Sequence, residues 1–246
     1  MAERVAARAD LAATLSLAGR TASPAPQAVP VRIGGFGGVD GLAQYLTAER
    51  VDVLIDATHP YAARMSGNAA HAAERARVPL LALRRLPWIA REGDRWIEVA
   101  DVAEAVRALG SAPKRVFLAL GRNELAAFVG APQHQYLVRS VDPVEPPLGV
   151  PHASYITGRG PYAEADERAL LSHHRVEIVV AKNSGGGATY GKIAAARALH
   201  LPVIMLRRPT LPAGETVENV NAAVAWLDRQ LEAQGGHVAP PAMRGV

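Results

Sequence analysis

The densest group of chemically active side chains ends the apolar run at residues 51–58, VDVLIDAT. Thr58 can donate a hydrogen bond to a phosphate or a carboxamide, and His59 can donate, accept or transfer a proton. Ligands of open α/β sheets bind beyond the carboxyl ends of the strands, where these side chains would lie. The same residues also fit a turn in which Asp56 or Thr58 caps the next helix and Pro60 opens it. The spacing leaves both interpretations open.

A second group occupies residues 182–192, where KNSGGGATYGK connects an apolar run to a helical pattern. A glycine-rich loop before a helix presents unpaired N–H groups and the positive end of the helix dipole, which favours an anion. The Gly-x4-Gly-Lys spacing of a P-loop is present from Gly186 to Lys192. However, Ile193 replaces the Ser or Thr that binds magnesium, so nucleotide hydrolysis is not expected. A tight strand-to-helix connection is the alternative.

Two further candidates follow neighbouring apolar runs. Arg20 comes after LAATLSLAG, residues 11–19, where dinucleotide-binding folds place an acid for a ribose 2′-hydroxyl or an Arg for a 2′-phosphate. A solvated loop arginine is the alternative. Residues 34–38 read GGFGG, and glycine lets the backbone approach a phosphate or a ring closely. This cluster lacks the G-x-G-x-x-G spacing, so an ordinary turn is the alternative there.

Composition excludes several classes of protein and site. The sequence has no cysteine, which rules out disulfides, thiolate zinc sites, iron–sulfur clusters and cysteine nucleophiles. Its eight histidines show no HExxH spacing, and no metal is expected. The formal net charge is +4, and Lys and Arg are scattered, which favours a basic surface or an anionic small-molecule ligand over nucleic acid. With no signal-peptide pattern and no membrane span, we expect a cytoplasmic protein.

Short apolar runs alternate with amphipathic helical segments along the chain, and the runs lie at 11–19, 29–35, 51–58, 78–85, 115–121, 176–182 and 201–208. This order predicts an α/β fold of two doubly wound, mostly parallel, Rossmann-like domains with a cleft between them. A composition shift at GSAPK, residues 110–114, places the domain boundary between a first α/β domain at 1–112 and a second at 113–234. The proline-rich stretch at 142–151 is interpreted as a connector inside the second domain. Residues 235–246 are expected to form a disordered tail.

Taken together, SLAGR, GGFGG, DATHPYA and KNSGGGATYGK resemble the precorrin-6A reductase family of the cobalamin (vitamin B12) pathway, over residues from about 14 to 230. The resemblance implies NADPH-dependent reduction of one double bond of the precorrin-6A macrocycle, giving precorrin-6B. It implies cofactor contacts at Arg20, Gly34, Gly35, Phe36, Gly37, Thr58 and His59. It further implies that the second loop faces the anionic tetrapyrrole, with contacts at Lys182, Ser184, Gly185, Gly186 and Tyr190. The catalytic residue stays unassigned, with His59, Lys182 and Tyr190 as candidates.

Two other functions fit the same residues. The cobalt-containing analogue of this reduction, the step of the anaerobic route, could use NADH or NADPH, and Arg20 favours NADPH. A non-catalytic two-lobed small-molecule-binding protein would use the same cleft for hinge closure. We expect a monomer.

This sequence departs from the pattern of the family in one respect. The family opens with an apolar strand and a GGT-type glycine loop, whereas this sequence begins inside the helix that follows them, at MAERVAARAD. The first domain is therefore expected to lack its first strand, which would be the central strand of the sheet. We expect a gap between LAATLSLAG and VDVLIDAT rather than a new register, because a slip would expose apolar side chains. A chain extended upstream is expected to be more stable and to bind NADPH better.

Overall fold

The computed structural model describes residues 1–19 and 24–233. In chain order the strands are β1 (Leu15–Leu17), β2 (Val31–Ile33), β3 (Leu54–Asp56), β4 (Leu80–Leu83), β5 (Arg95–Val99), β6 (Arg115–Ala119), β7 (Gln135–Ser140), β8 (Ala153–Thr157), β9 (Ile178–Lys182), β10 (Pro202–Leu206) and β11 (Thr216–Val217). The helices are α1 (Ala2–Ala6), α2 (Gly38–Ala48), α3 (Ala63–Ala76), α4 (Val102–Leu109), α5 (Arg122–Leu125), α6 (Glu164–His173), α7 (Gly191–Ala198) and α8 (Val220–Ala233), with a 3-10 helix at Ala126–Gly130.

The chain divides into two compact units at positions that differ from the predicted boundary. Unit 1 combines Met1–Arg84 with the chain from Thr210 onward, and unit 2 is Arg85–Pro209. Two elements explain the difference from a boundary at 112. Strand β5 pairs in parallel with β10 in the sheet of unit 2, and helix α8 packs on β4 in unit 1. The predicted tail at 235–246 lies outside the described residues.

Unit 1 contains two short parallel sheets. One pairs β1 with β2, and the other has the order β11-β4-β3. Among the residues that the structure describes, β1 and β3 belong to different sheets. Helices α2 and α3 pack together through Leu42, Leu46 and Ala72. Helix α8 buries Trp226 against Leu81 of β4.

Unit 2, whose residues are all described, is built on one six-stranded parallel sheet of order β5-β10-β9-β6-β7-β8. The central strands are continuous apolar runs because helices cover both faces. Phe117, Val179 and Ile193 are fully buried in its core. The chain leaves β6 toward β7 and leaves β9 toward β10, on opposite sides. The loops after β6 and β9 therefore diverge, and such a switch point is where doubly wound sheets bind ligands.

The mostly parallel α/β architecture predicted from the sequence is confirmed. Strands β5, β7, β8 and β11 were not among the predicted apolar runs. β5 and β8 lie at the two edges of their sheet and are only partly buried, so their sequences are mixed. β7 is buried but carries Arg139, which pairs with Glu167 of α6. None of the helices that the structure describes has the length and apolar content needed to cross a membrane.

Candidate active site

Lys182 lies at the switch point of the sheet in unit 2. It ends β9, and its ammonium group forms an ion pair of 2.5 Å with Glu124 of α5, the helix that follows β6. Gly121 makes room for this pair, because a Cβ there would lie 2.6 Å from Glu124 Oε2. The two loops that diverge at the switch point are therefore joined by a partly buried ion pair. Lys182 thus sits at the end of the sheet where a ligand is expected.

The glycine-rich loop after Lys182 is held against a second loop, Arg85–Ala90. Asn183 accepts a hydrogen bond from Trp88 N at 2.7 Å and donates to Trp88 O at 2.9 Å. The Trp88 indole N–H donates to Gly186 O at 2.8 Å. The loops approach so closely that a Cβ on Gly185 would lie 2.1 Å from Leu86 O. Neither Asn183 nor Trp88 is predicted as a site residue from the sequence, although Asn183 lies within KNSGGGATYGK.

The remaining predicted residues of this loop have different surroundings. Ser184 N donates to Lys182 O at 2.8 Å, so Ser184 stays beside the end of β9. Tyr190 lies at the start of α7, where its ring packs edge-on against Trp88 and its hydroxyl accepts from Arg197 at 3.0 Å. These contacts support the fold around α7. The structure thus keeps Lys182, Ser184 and the glycines together and gives Tyr190 a packing role.

Lys192, which matches the lysine of a P-loop by spacing, is buried. Its ammonium donates to Thr189 O at 2.6 Å and lies 4.9 Å from the centre of the Trp88 ring. Burial, with a smaller effect from the charge of Arg139, lowers the pKa of Lys192 to about 7. A buried lysine engaged in this way cannot act as the exposed phosphate ligand of a P-loop.

In unit 1, Thr58 and His59 follow β3 directly. Thr58 N donates to Asp56 Oδ1 at 3.0 Å, so the segment turns sharply as it leaves the strand. His59 is exposed, and its Nδ1 accepts from Tyr61 N at 3.3 Å. Since Nδ1 is the acceptor, the proton of a neutral His59 ring lies on Nε2. Helix α3 begins at Ala63 without a side-chain cap, so the turn does not serve as the cap that the sequence left open.

A ring of hydrogen bonds lies behind Thr58, and two of its members, Ser66 and Arg84, are not predicted from the sequence. Arg84 donates to Asp56 Oδ2 at 3.0 Å and to Ser66 Oγ at 3.2 Å. Ser66 Oγ lies 3.2 Å from Thr58 Oγ1. Burial raises the pKa of Asp56, but hydrogen bonds from Thr58 and Ser66 and the Arg84 charge outweigh it and hold that pKa below the ordinary value. Asp56 is therefore ionised at neutral pH.

The GGFGG segment joins β2 to α2. Gly34 and Gly37 adopt φ values of +118° and +83°, which glycine tolerates and other residues resist. Arg32 shapes the loop by donating to Gly34 O and Gly35 O, at 2.7 and 3.0 Å. Apart from the chain neighbours of each glycine, no atom of residues 1–19 and 24–233 lies within 4 Å of a Cβ built on Gly34, Gly35 or Gly37, so the glycine surface is open toward these residues.

Phe36 differs from the glycines around it. The Arg32 guanidinium stacks 3.8 Å from the centre of its ring, and the Tyr45 ring lies 5.0 Å away. The ring also packs against the α2 and α3 core. Phe36 therefore anchors the loop. Arg20, the remaining predicted cofactor residue, lies outside the described residues.

Unit 2 carries further basic residues near the carboxyl ends of its strands. Basic residues follow three strands of unit 2, as Arg122 after β6, Arg159 after β8 and Arg208 after β10. In the part of the chain that the structure describes, no three His, Asp or Glu side chains are grouped so that they could hold a metal ion. The carboxyl end of the sheet in unit 2 thus offers positive charge for an anionic ligand.

Comparison with known proteins identifies the family. The family model described as Precorrin-6x reductase CbiJ/CobK matches residues 1–228. The chain belongs to the precorrin-6x reductase family. The family predicted from the sequence is confirmed, and with it the prediction of an oxidoreductase. A reductase of this family implies a reduced nicotinamide cofactor.

Relatives of the precorrin-6x reductase family match most of the chain. The chain is 54% identical over 233 residues to the precorrin-6A reductase of a Sinorhizobium species, covering 92% of this chain and 88% of the relative. It is 50% identical over 215 residues to that of Rhodobacter capsulatus, covering 87% and 86%. The solved structure of CobK precorrin-6A reductase superposes with a TM-score of 0.90 at 46% identity, covering 100% of this chain and 94% of that one. A cobalt-precorrin-6A reductase of Priestia megaterium is 28% identical over 212 residues, covering 82% of each.

Proposed function

We propose that this chain reduces precorrin-6A to precorrin-6B with NADPH in cobalamin biosynthesis. The observation that carries the proposal is the match to precorrin-6A reductases over most of the chain, 54% identical in one case. The cobalt-containing alternative has less support, since the cobalt-precorrin-6A reductase compared above is only 28% identical. We also propose that NADPH is the cofactor and that the predicted site residues contact NADPH or the substrate.

The surface of unit 1 fits a dinucleotide. The open glycines Gly34, Gly35 and Gly37 leave room for a ligand to touch the backbone, and they precede the N-terminus of α2, whose N–H groups favour a phosphate. Thr58 offers a hydroxyl after β3. Arg20 would accommodate the 2′-phosphate that distinguishes NADPH from NADH. When bound, NADPH supplies the hydride for the reduction.

The surface at the carboxyl ends of the strands in unit 2 suits an acidic macrocycle. The substrate of the family carries several acetate and propionate groups, which Lys182 and the neighbouring arginines would attract. The anchored loop Arg85–Ala90 adds an apolar surface, because Leu86 is 59% exposed and Ile89 is 79% exposed. Exposed apolar side chains on an anchored loop suit contact with the face of a large ring. Charge and apolar surface together match an anionic tetrapyrrole.

The reduction also needs a proton, and the candidate donors are His59, Lys182 and Tyr190. His59 directly follows Thr58, the proposed cofactor contact, and a histidine side chain exchanges protons near neutral pH. When its ring is neutral, its proton lies on Nε2, because Nδ1 accepts from Tyr61 N. We therefore propose His59 as the proton donor.

The test is the activity of the purified chain with precorrin-6A and NADPH, with Lys182→Ala as the informative variant. The KM for precorrin-6A is expected to rise about tenfold or more, since a charge-assisted contact is lost, and NADPH affinity is expected to stay nearly unchanged. Arg175→Ala, on the loop after α6, serves as a control for lost positive charge. No NADPH oxidation by the unmodified chain would contradict the function. A variant that loses NADPH affinity instead would contradict the division of roles.

A further inference from the structure

We propose that Asp56, Ser66 and Arg84 act as positioning residues that hold the Thr58 hydroxyl in place for the nicotinamide cofactor. The proposal rests on the proposed function, in which Thr58 contacts NADPH. It adds three residues, from β3, α3 and the end of β4, that lie behind that contact. We call Asp56, Ser66 and Arg84 the Thr58 clamp.

The clamp holds Thr58 at two separate atoms. Asp56 Oδ1 accepts from the backbone N–H of Thr58 at 3.0 Å, and Ser66 Oγ lies 3.2 Å from the Thr58 hydroxyl. Arg84 ties these two partners together, since it donates to Asp56 Oδ2 at 3.0 Å and to Ser66 Oγ at 3.2 Å. The four residues form a closed ring. Neither the backbone nor the side chain of Thr58 can rotate without breaking one of its bonds.

Burial keeps the ring rigid. The side chains of Asp56 and Arg84 are 2% and 13% exposed, and Ser66 is 1% exposed. A hydrogen bond to a charged group that is shielded from water is stronger than one at the surface. A buried ion pair is weak evidence for a contribution to stability alone, because desolvation offsets the attraction. Asp56 bonds to Thr58 and Arg84 bonds to Ser66, the partner of Thr58, so this ion pair is better explained as holding Thr58 in position.

The far side of the clamp is not closely packed. A cavity of about 350 Å³ in unit 1 is bordered by all three clamp residues and by His71 and Glu74 of α3. Hydrogen bonds therefore hold these side chains in place where neighbouring atoms leave space. The Thr58 hydroxyl has one donor and two acceptor sites, and its contacts with Ser66 and Asp56 use two of them. The remaining capacity can serve a ligand.

The test measures NADPH affinity directly, by fluorescence titration of the folded protein, together with the melting temperature. Thr58→Val is expected to weaken NADPH binding by about five- to tenfold, because one hydrogen bond is lost. Ser66→Ala, which leaves Thr58 itself intact, is expected to weaken it by about three- to tenfold. Ser66→Thr keeps the hydroxyl at a residue that borders the cavity, so this variant should bind as the unmodified chain does. Ser172→Ala, at an exposed position of α6, is the control.

The outcomes separate the clamp from the proposed function. If Thr58→Val weakens NADPH binding and Ser66→Ala does not, the clamp is wrong and the Thr58 contact stands. If Ser66→Ala lowers only the melting temperature, the serine is structural and the clamp is again wrong. If Thr58→Val has no effect while the unmodified chain reduces precorrin-6A, both the Thr58 contact and the clamp fail, but the function stands. Weakened binding in Ser66→Ala with recovery in Ser66→Thr supports the proposal.

Discussion

Lys192 shows how a single side chain can match a motif by spacing and yet do something else. It stands where a P-loop has its phosphate-binding lysine, but it is only 4% exposed and points at Thr189 O and the Trp88 ring. Its neighbours Arg139 and Glu167 form a buried ion pair with each other. The ammonium of Lys192 is therefore desolvated without a carboxylate partner of its own. Its charge should cost stability at neutral pH.

The first prediction concerns the pH dependence of stability. Burial lowers the pKa of Lys192 to about 7 in the folded chain, against 10.5 for an unperturbed lysine. Between these values the unfolded chain binds a proton that the folded chain does not, so the free energy of unfolding rises with pH. From pH 7 to pH 9 this residue contributes a rise of about 2 kcal/mol. Lys192→Met should lack that rise.

The measurement is urea denaturation of both proteins at the two pH values. Groups other than Lys192 titrate equally in both, so the difference between the two pH dependences isolates the lysine. The Met variant should also be more stable than the unmodified chain at pH 7, since no charge is buried. Parallel pH dependences in the two proteins would mean that Lys192 stays charged when folded.

At the scale of elements, the site in unit 2 depends on two loops held together over a long sequence separation. Asn183, after β9, forms reciprocal hydrogen bonds with Trp88, 95 residues earlier. Arg208, after β10, donates to Asn183 O and to Arg85 O, at 2.8 and 2.7 Å. These bonds satisfy the backbone groups of a segment with no regular structure. They also anchor the loop that carries the exposed side chains of Leu86 and Ile89.

The second prediction uses the contact between these loops. Gly185 has a φ of +69°, and a Cβ there would lie 2.1 Å from Leu86 O, so Gly185→Ala must push the loops apart. We expect a loss of about 2 kcal/mol in stability and a higher KM for precorrin-6A. Gly187→Ala is the matched control, because a Cβ there meets no atom of the described residues within 4 Å, its chain neighbours apart. Its stability should change by less than about 0.5 kcal/mol. Equal effects of the two substitutions would show that the close approach is unimportant.

At the scale of the whole molecule, the chain crosses between its units twice. Unit 2 is one continuous segment, Arg85–Pro209, whereas unit 1 needs the chain from Thr210 onward as well. Strand β5 pairs with β10 in unit 2, and α8 buries Trp226 against Leu81 of β4 within unit 1. A cut at residue 112 would therefore separate β5 from its sheet and leave α8 without its partner.

The third prediction compares two fragments. Residues 85–209 should fold alone with a cooperative urea transition, because the fragment contains all six strands of its sheet and a contiguous core. Residues 113–234 should aggregate, because β10 loses its neighbour and α8 exposes Trp226 and Leu227. Circular dichroism and size-exclusion chromatography distinguish the outcomes. A folded, monomeric 113–234 would favour the boundary predicted from the sequence.

Local patterns in the sequence determined the fold class and the positions of the candidate loops. Continuous apolar runs predicted parallel strands such as β6, β9 and β10, since strands buried on both faces need no alternation. Polar and glycine-rich segments after β3 and β9 predicted site residues, because the carboxyl ends of parallel strands collect ligands. The four motifs together were specific enough to indicate the family.

Only the tertiary structure decided which distant residues meet. Arg84 reaches Asp56 across 28 positions, and Asn183 reaches Trp88 across 95, and no periodicity along the chain specifies such pairs. The division into units is also non-local, because the unit to which β5 or α8 belongs depends on the strands it packs against and not on a composition shift. Burial of Lys192 is likewise a consequence of packing. Strand pairing and side-chain contact are non-local, whereas the patterns that predict strands and loops are local.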